Sequence, residues 1–208
     1  MRLFYVLYPE EPALRFVLDA IRFLANPYEK ERAHLTVRGP CSRHYRDQTL
    51  RRLNEKIASS HIVISGVDRF FAERQHTVFL SCDGPNLKQV WLKPDYGYHP
   101  HITLYDGDSR DFGAALLGIL QARPPQQPAL GFRADKLVPL VTYKGQTNLT
   151  LQTSIDFARL SALAGRPLSP STVRGMPTDE RLALIAAAWG SLATVQRAEQ
   201  LGLLERAR

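Results

Sequence analysis

Two short stretches of the chain each place a histidine and a threonine two residues apart, with aliphatic residues between and after them. The first is His34-Leu35-Thr36-Val37 and the second is His101-Ile102-Thr103-Leu104. Their composition predicts β-strands, in which alternate side chains point to the same face. Each strand therefore presents one imidazole and one hydroxyl together. If the two strands face one another, the imidazoles supply a general acid and a general base, the hydroxyls donate hydrogen bonds, and no metal ion is needed.

Length and composition limit the possible architectures. The chain has 208 residues, 44% of them hydrophobic and 23% charged, which predicts one sizeable domain or one domain with an appendage. The net charge of +7 favours an anionic partner, although excess charge also serves solubility. A cluster of arginines between Lys30 and Lys56 follows the first motif and would steer a phosphate-bearing ligand towards it.

Targeting and redox signals are weak. The apolar start of the chain is interrupted at Pro9, which is too soon for the apolar segment of a signal peptide or for a membrane span. Cys41 and Cys82 have neither the spacing of metal ligands nor that of a disulfide framework. We therefore expect a cytoplasmic protein that does not contact a membrane.

Hydrophobic periodicity and turn residues predict an alternation of strands and helices. Strands are predicted at Leu3–Tyr8, Ala33–Arg38, His61–Val67, Thr77–Cys82, His99–Tyr105, Gly131–Val138 and Val141–Thr153. Helices are predicted at Pro12–Leu24, Leu87–Leu92 and Phe112–Ala122. A further polar helix, with Leu50, Leu53 and Ile57 as its apolar residues, is predicted to run to about Ala58. Asp68–Gln75 is predicted to be a loop, and Pro124–Pro128 a linker.

The order of these elements contains a repeat. Each half has a His-Thr strand, then a helix, then a pair of strands. The repeat predicts an α+β fold with two similar lobes related by an approximate two-fold axis, in which antiparallel sheets surround a central cleft and helices lie outside.

The two motifs resemble the signature of the 2H (two-histidine) phosphoesterases, which include the 2′-5′ RNA ligase-like proteins and the cyclic phosphodiesterases. That signature is two copies of His-Φ-(Thr/Ser)-Φ, where Φ is apolar, and both stretches match at every position; Pro100 also precedes the second histidine as is common in the family. The resemblance covers roughly residues 1–153. It implies the two-lobed, pseudo-symmetric fold of that family and a reaction that needs no cofactor and no metal.

The resemblance also implies roles and a substrate class. His34 and His101 would be the acid and base, and Thr36 and Thr103 would donate to the non-bridging phosphate oxygens. The substrate would be a nucleotide or short RNA with a 2′,3′-cyclic phosphate or a 2′-5′ linkage, or it would be a cyclic oligonucleotide. The activity would be that of a phosphodiesterase, which is a hydrolase. Which histidine is the acid stays open.

Two alternatives come from other classes of protein. One is an RNA-binding module that keeps the cleft but does no chemistry. The other is a metal-dependent hydrolase, because His99 points the same way as His101 on an ideal strand and could join His34 in a three-histidine site.

Further substrate contacts are expected near the motifs. Arg38 continues the face of His34 and Thr36 and is the expected basic phosphate contact. Aromatic rings could stack on a nucleobase, and the candidates beside the motif strands are Tyr5, Tyr98, Tyr105 and Tyr143. For each of these rings, packing in the core is the alternative.

The last quarter of the chain, residues 154–208, is predicted to be a helical extension packed on the domain formed by residues 1–153. Ser154 is the expected N-cap of a helix to Leu163, Arg166–Met176 is a polar loop, and a long helix follows Pro177. The apolar stripe of that helix predicts packing on a lobe, with a dimer contact or a lid over the cleft as alternatives. The oligomeric state stays open.

Overall fold

A computed structural model describes residues 2–92, 97–122, 130–142 and 155–200, and the side chains of these residues as far as 192. Its centre is a seven-stranded antiparallel sheet with the strand order β6-β3-β4-β5-β2-β1-β7. Together with the helices this confirms an α+β fold built on an antiparallel sheet.

The strands have the following bounds: β1 Arg2–Leu7, β2 Leu35–Cys41, β3 His61–Phe71, β4 His76–Asp83, β5 His101–Gly107, β6 Gly131–Arg133 and β7 Val138–Thr142. The helices that the structure describes are α1 Pro12–Ala25, α2 Asp47–Ile57, α3 Leu87–Val90, α4 Arg110–Ala122, α5 Phe157–Ala164, α6 Pro170–Arg174 and α7 Thr178–Gln200.

One face of the sheet is buried against helices α1 and α4. Helix α1 begins with Pro12, which is favourable at the first helical position because that residue donates no intrahelical bond. Its apolar residues recur at helical spacing and are buried: Leu14, Val17, Leu18, Ile21 and Leu24. The strands contribute alternate residues to the same core, including Leu35, Leu80 and Ile102.

Helix α7 forms an outer layer on α1 and α4. The Trp189 indole Nε1 donates to the Leu120 carbonyl over 3.2 Å, and Arg181 donates to the Leu24 carbonyl over 3.0 Å. The long C-terminal helix thus covers the helices rather than the opposite face of the sheet. No helix in the described ranges combines the length and the apolar character that crossing a membrane requires.

The strands are not grouped as their order in the chain suggests. Strands β3 and β4 follow the first motif in sequence but lie on the side of β5, whereas β7 pairs with β1. Strands β2 and β5 join the two groups into one sheet through the antiparallel pair Leu35 and Ile102.

Several strand boundaries differ from the prediction. Strand β3 continues through Asp68 to Phe71, so the first half of the loop expected at Asp68–Gln75 belongs to the strand. The polar residues Asp68 and Arg69 are exposed on the part of β3 that continues beyond its pairing with β6, where polarity is compatible with β-structure. The strand expected at Gly131–Val138 ends at Arg133, and β7 begins at Val138. Pro124–Pro128 and most of the last predicted strand lie outside the described residues.

The C-terminal helices also differ in detail. Ser154 lies outside the described residues, and the N-cap of α5 is Asp156, whose carboxylate accepts from the Arg159 backbone N–H over 2.9 Å. The expected loop contains helix α6, which begins with a capping box between Ser169 and Thr172. Threonine at the third helical position replaces the usual Glu or Gln, so the sequence signal of a capping box was missed.

Candidate functional site

The two motif strands meet side by side at the centre of the sheet. Leu35 of β2 and Ile102 of β5 are antiparallel partners, and neither is exposed. Continuing this register by one residue on each side sets His34 opposite Thr103 and Thr36 opposite His101. In a regular ladder, two histidines in this diagonal relation have Cα atoms about 7–8 Å apart.

The four motif side chains lie on the face of the sheet opposite α1. Because Leu35 and Ile102 point into the core, their neighbours on each strand point the other way. His34, Thr36, His101 and Thr103 are accordingly half-buried, while the aliphatic residues between them are inaccessible to solvent. We call the sheet surface formed by these four side chains the motif face.

Both imidazoles make the same local hydrogen bond. Nδ1 of His34 lies 2.7 Å from the Arg32 carbonyl oxygen, and Nδ1 of His101 lies 2.6 Å from the His99 carbonyl oxygen. A carbonyl oxygen only accepts, so Nδ1 carries the proton in both rings. In the neutral ring Nε2 then holds the lone pair, which is the arrangement that a general base requires.

An aromatic ring lies beside each histidine, and neither was expected from the sequence. The Tyr8 ring packs edge-on against His34 with a centroid distance of 6.0 Å, and the Phe79 ring lies 5.0 Å from His101. Phe79 pairs with Thr103 across β4 and β5, which puts it on the motif face. Their sequence signal is weak, since Phe79 lies on a strand with no motif and Tyr8 follows the end of β1.

The surroundings of Tyr8 keep its hydroxyl protonated. Burial raises the pKa of Tyr8, and the Arg32 guanidinium, 4.8 Å from the ring centroid, opposes this without cancelling it. Tyr8 is therefore a neutral phenol at physiological pH, able to donate a hydrogen bond next to His34.

Arg38 lies on β2 two residues after Thr36, but a β-bulge separates them: Thr36 pairs with Val6 of β1, whereas Arg38 pairs with the adjacent Tyr5. The shared face of His34, Thr36 and Arg38 predicted from the sequence fails here because the extra residue reverses the alternation.

The half-buried side chain of Arg38 is held from two directions: Nε donates to the Val90 carbonyl over 2.6 Å, and one terminal amino group donates to the Tyr45 hydroxyl over 3.2 Å. Tyr45 in turn stacks on the buried ring of Tyr5 at 4.6 Å. Arg38 is thus a fixed positive charge at the end of the motif strand.

Tyr105 does not reach the motif face. A β-bulge interrupts the pairing of β4 and β5, so that Thr103 pairs with Phe79 but Tyr105 pairs with Val78, which is buried on the helix side. The ring of Tyr105 packs on Phe112 at 5.1 Å, and its hydroxyl donates to the Ser109 carbonyl. The alternation predicted from the sequence fails here because the extra residue reverses it.

Of the other predicted tyrosines, Tyr5 is buried in the core, and Tyr98 packs on residues outside the two motifs. Tyr98 packs edge-on against Trp91 at 5.4 Å and donates to the Asp83 carboxylate over 3.2 Å. Burial, reinforced by Asp83, raises the pKa of Tyr98 to about 12. Tyr143 lies outside the described residues.

Among the side chains that the structure describes, as far as residue 192, no three His, Cys, Asp or Glu residues converge as a metal site. His99 is exposed, and its contribution to the site is the carbonyl that accepts from His101. These residues therefore do not form the three-histidine site considered as an alternative.

The arrangement provides the groups that acid–base catalysis at a phosphodiester uses: two imidazoles with the same protonated nitrogen, two hydroxyls, and a fixed guanidinium at one end.

No family model, no curated protein and no solved structure matches this chain.

Proposed function

We propose that this chain is a metal-independent phosphodiesterase of the 2H type, with two lobes that meet at β2 and β5. Its substrate would be a 2′,3′-cyclic nucleotide, a 2′-5′-linked oligonucleotide or a cyclic oligonucleotide. The observation that carries the proposal is the Leu35–Ile102 pair, which orients the four motif side chains to one face. The matching Nδ1 bonds of the two histidines support it.

In the proposed reaction, Nε2 of one histidine removes a proton from the attacking water or ribose hydroxyl. The oxygen attacks phosphorus, the bond to the departing ribose oxygen breaks, and Nε2 of the other histidine, as imidazolium, protonates that oxygen. The enzyme regains its starting state when the two rings exchange one proton with solvent. The orientation of the leaving group decides which of His34 and His101 is the acid.

The remaining residues would stabilise charge and hold the substrate. Thr36 and Thr103 donate to the non-bridging oxygens, where negative charge increases in the transition state. Arg38 attracts the phosphate through its positively charged guanidinium. Phe79 and Tyr8 offer ring faces to the nucleosides on either side of the phosphate, in place of the tyrosines expected from the sequence.

The proposal is tested by turnover in EDTA. The substrates are 2′,3′-cyclic nucleotides, 2′-5′ oligoadenylate and cyclic oligonucleotides, and the proteins are the wild type, His34→Ala, His101→Ala and the control His61→Ala. His61 is exposed and lies on β3, paired with the edge strand β6. We expect turnover of one substrate class, lowered about 10²- to 10⁴-fold in each motif variant and unchanged in the control.

Two results would contradict the proposal. Activity that disappears in EDTA and returns with added Mg²⁺, Mn²⁺ or Zn²⁺ would indicate a metal-dependent hydrolase. No turnover of any substrate, together with tight RNA binding, would favour the binding module.

A further inference from the structure

Helix α1 carries two charged residues on its buried side that the proposed reaction does not use. Asp19 is 2% exposed and Arg22 is 7% exposed, although every other residue from Val17 to Ala25 is apolar. Buried charges destabilise a protein unless they are paired and hydrogen-bonded. The partners of these two residues therefore indicate what they hold in place.

Arg22 links the two motif strands. Its Nε donates to the Glu31 carbonyl over 2.7 Å, just before His34, and its Nη1 donates to the Thr103 carbonyl over 2.7 Å, inside the second motif. Its other amino group forms an ion pair with Glu29 at 3.3 Å. One planar guanidinium thus fixes the segment that leads into His34 relative to the backbone of β5.

Asp19, one helical turn earlier, holds the same segment. One carboxylate oxygen accepts from the Ala33 backbone N–H over 2.8 Å, and the other accepts from Nε of Arg32 over 3.1 Å. Burial lowers the pKa of Arg32, but the charges and hydrogen bonds of Asp19 and Glu10 outweigh it and raise this pKa above its ordinary value. Arg32 therefore stays charged beside Asp19.

The held segment contains the acceptor of His34. The Arg32 carbonyl accepts the hydrogen bond from Nδ1 of His34. Arg32 therefore binds Asp19 through its side chain and orients the imidazole through its backbone. His101 is oriented by the His99 carbonyl, and the bonds of Asp19 and Arg22 do not reach that residue.

From these contacts we propose that Asp19 and Arg22 are positioning residues: Arg22 sets the distance between the two motifs, and Asp19 sets the orientation of His34 alone. This inference rests on the proposed phosphodiesterase function. Neither residue touches the substrate, because both lie on the helix side of the sheet and act through the backbone.

The first test is Arg22→Lys, compared with Arg15→Lys on the same helix. Lysine keeps the charge but is a point donor that does not reproduce the planar geometry joining two carbonyls. Arg15 is a suitable control because, among the described residues, its side chain forms its ion pair with Glu10 at the surface. With the substrate that the wild type turns over, we expect Arg22→Lys to lower kcat about 10²-fold with KM changed less than about threefold, as for a misplaced catalytic group. Arg15→Lys should match the wild type.

The second test is Asp19→Asn, read by the imidazole ¹⁵N chemical shifts of His34 and His101, which distinguish the two neutral tautomers. We expect the His34 ring to lose its preference for the Nδ1-protonated form while the His101 ring keeps it. This measurement needs no activity, and it carries the inference if Arg22→Lys does not fold.

The outcomes separate the inference from the function. An active wild type with unchanged kcat in Arg22→Lys, or with an unchanged His34 tautomer in Asp19→Asn, overturns the positioning role and leaves the function intact. A wild type inactive on every substrate, with the His34 tautomer altered in Asp19→Asn, rejects the function while retaining the structural link. Equal changes at His34 and His101 would contradict the division of roles.

Discussion

The two histidines have the same local hydrogen bond but different supports. Each Nδ1 donates to the carbonyl two residues earlier, in the segment that directly precedes the strand. Around His34 the support comes from helix α1, through Asp19, Arg22 and the Arg32 segment. Around His101 it comes from β4, where Ser81 is its cross-strand partner and Phe79 packs on its ring.

The difference separates what a short motif encodes from what the fold supplies. The repeated phrase determines which groups share a face and which nitrogen is protonated, since both depend on strand alternation and a contact two residues away. It does not determine how the two motif strands are held in position relative to one another. That depends on long-range contacts. Near His34 these are the buried charged groups of α1 together with the Tyr8 ring, and beside His101 the Phe79 ring of β4.

The two threonines provide the strongest test of equivalence between the motifs. If each donates to a phosphate oxygen, Thr36→Val and Thr103→Val should each lower kcat about 10²- to 10³-fold, because valine keeps the shape but removes the donor. Steady-state kinetics in EDTA checks this. Thr77→Val is the control, since the Thr77 hydroxyl donates to Asp106 instead. A comparable loss in the control, or no loss in either motif variant, would contradict the assigned role.

The aromatic neighbours should reveal a difference between the motifs. Stacking of a base on Phe79 contributes about 1–3 kcal/mol, so Phe79→Ala should raise KM roughly 5- to 150-fold. Tyr8→Phe keeps the ring beside His34 and should change KM less than about threefold, since stacking needs only the π-face.

Phe70→Ala is the matched control for Phe79→Ala. Phe70 is an exposed ring, at 61%, on β3, two strands away from β5. An increase in KM in Phe70→Ala as large as that in Phe79→Ala would indicate nonspecific loss of apolar surface rather than a base contact.

The smallest expected effect concerns stability. Burial raises the pKa of Asp19, and the Ala33 and Arg32 bonds only partly oppose it. A raised carboxyl pKa contributes stability below the unfolded-state pKa that is lost as pH rises through the folded-state value. The free energy of unfolding of the wild type minus that of Asp19→Asn should therefore fall as pH rises above about 4, the range of a free aspartate.

Urea unfolding of both proteins at a series of pH values measures this difference and cancels the contributions of the other carboxyl groups. A difference that grows with pH would mean that the attraction of Asp19 to Arg32 exceeds the cost of its burial. In that case folding stabilises the charged form of Asp19 relative to the neutral form.

Much of the site could be predicted because it depends on local pattern. The two motif strands, the shared face of His34 and Thr36, and helix α1 follow from alternation and helical periodicity, whereas the bulge in β2 removes Arg38 from that face. The Tyr105 prediction failed because a bulge, which has no sequence signature here, reverses the alternation after Thr103.

Asp19 and Arg22 could not be recognised from the sequence. In an amphipathic helix a charged residue is normally assigned to the solvent face, and only tertiary contacts show that these two point inwards. Likewise, β3 and β4 pair beside β5 rather than β2 because of long-range strand pairing that local propensity does not specify.

The most direct test of the acid–base pair is the pH dependence of kcat/KM for the wild type in EDTA, on the substrate found to turn over. With one imidazole as base and the other as acid, the profile should be bell-shaped with both limbs near neutrality, since an unperturbed imidazole has a pKa of about 6.5. A profile with a single limb between about pH 5 and 8, the interval in which imidazoles titrate, would contradict the pairing of His34 and His101.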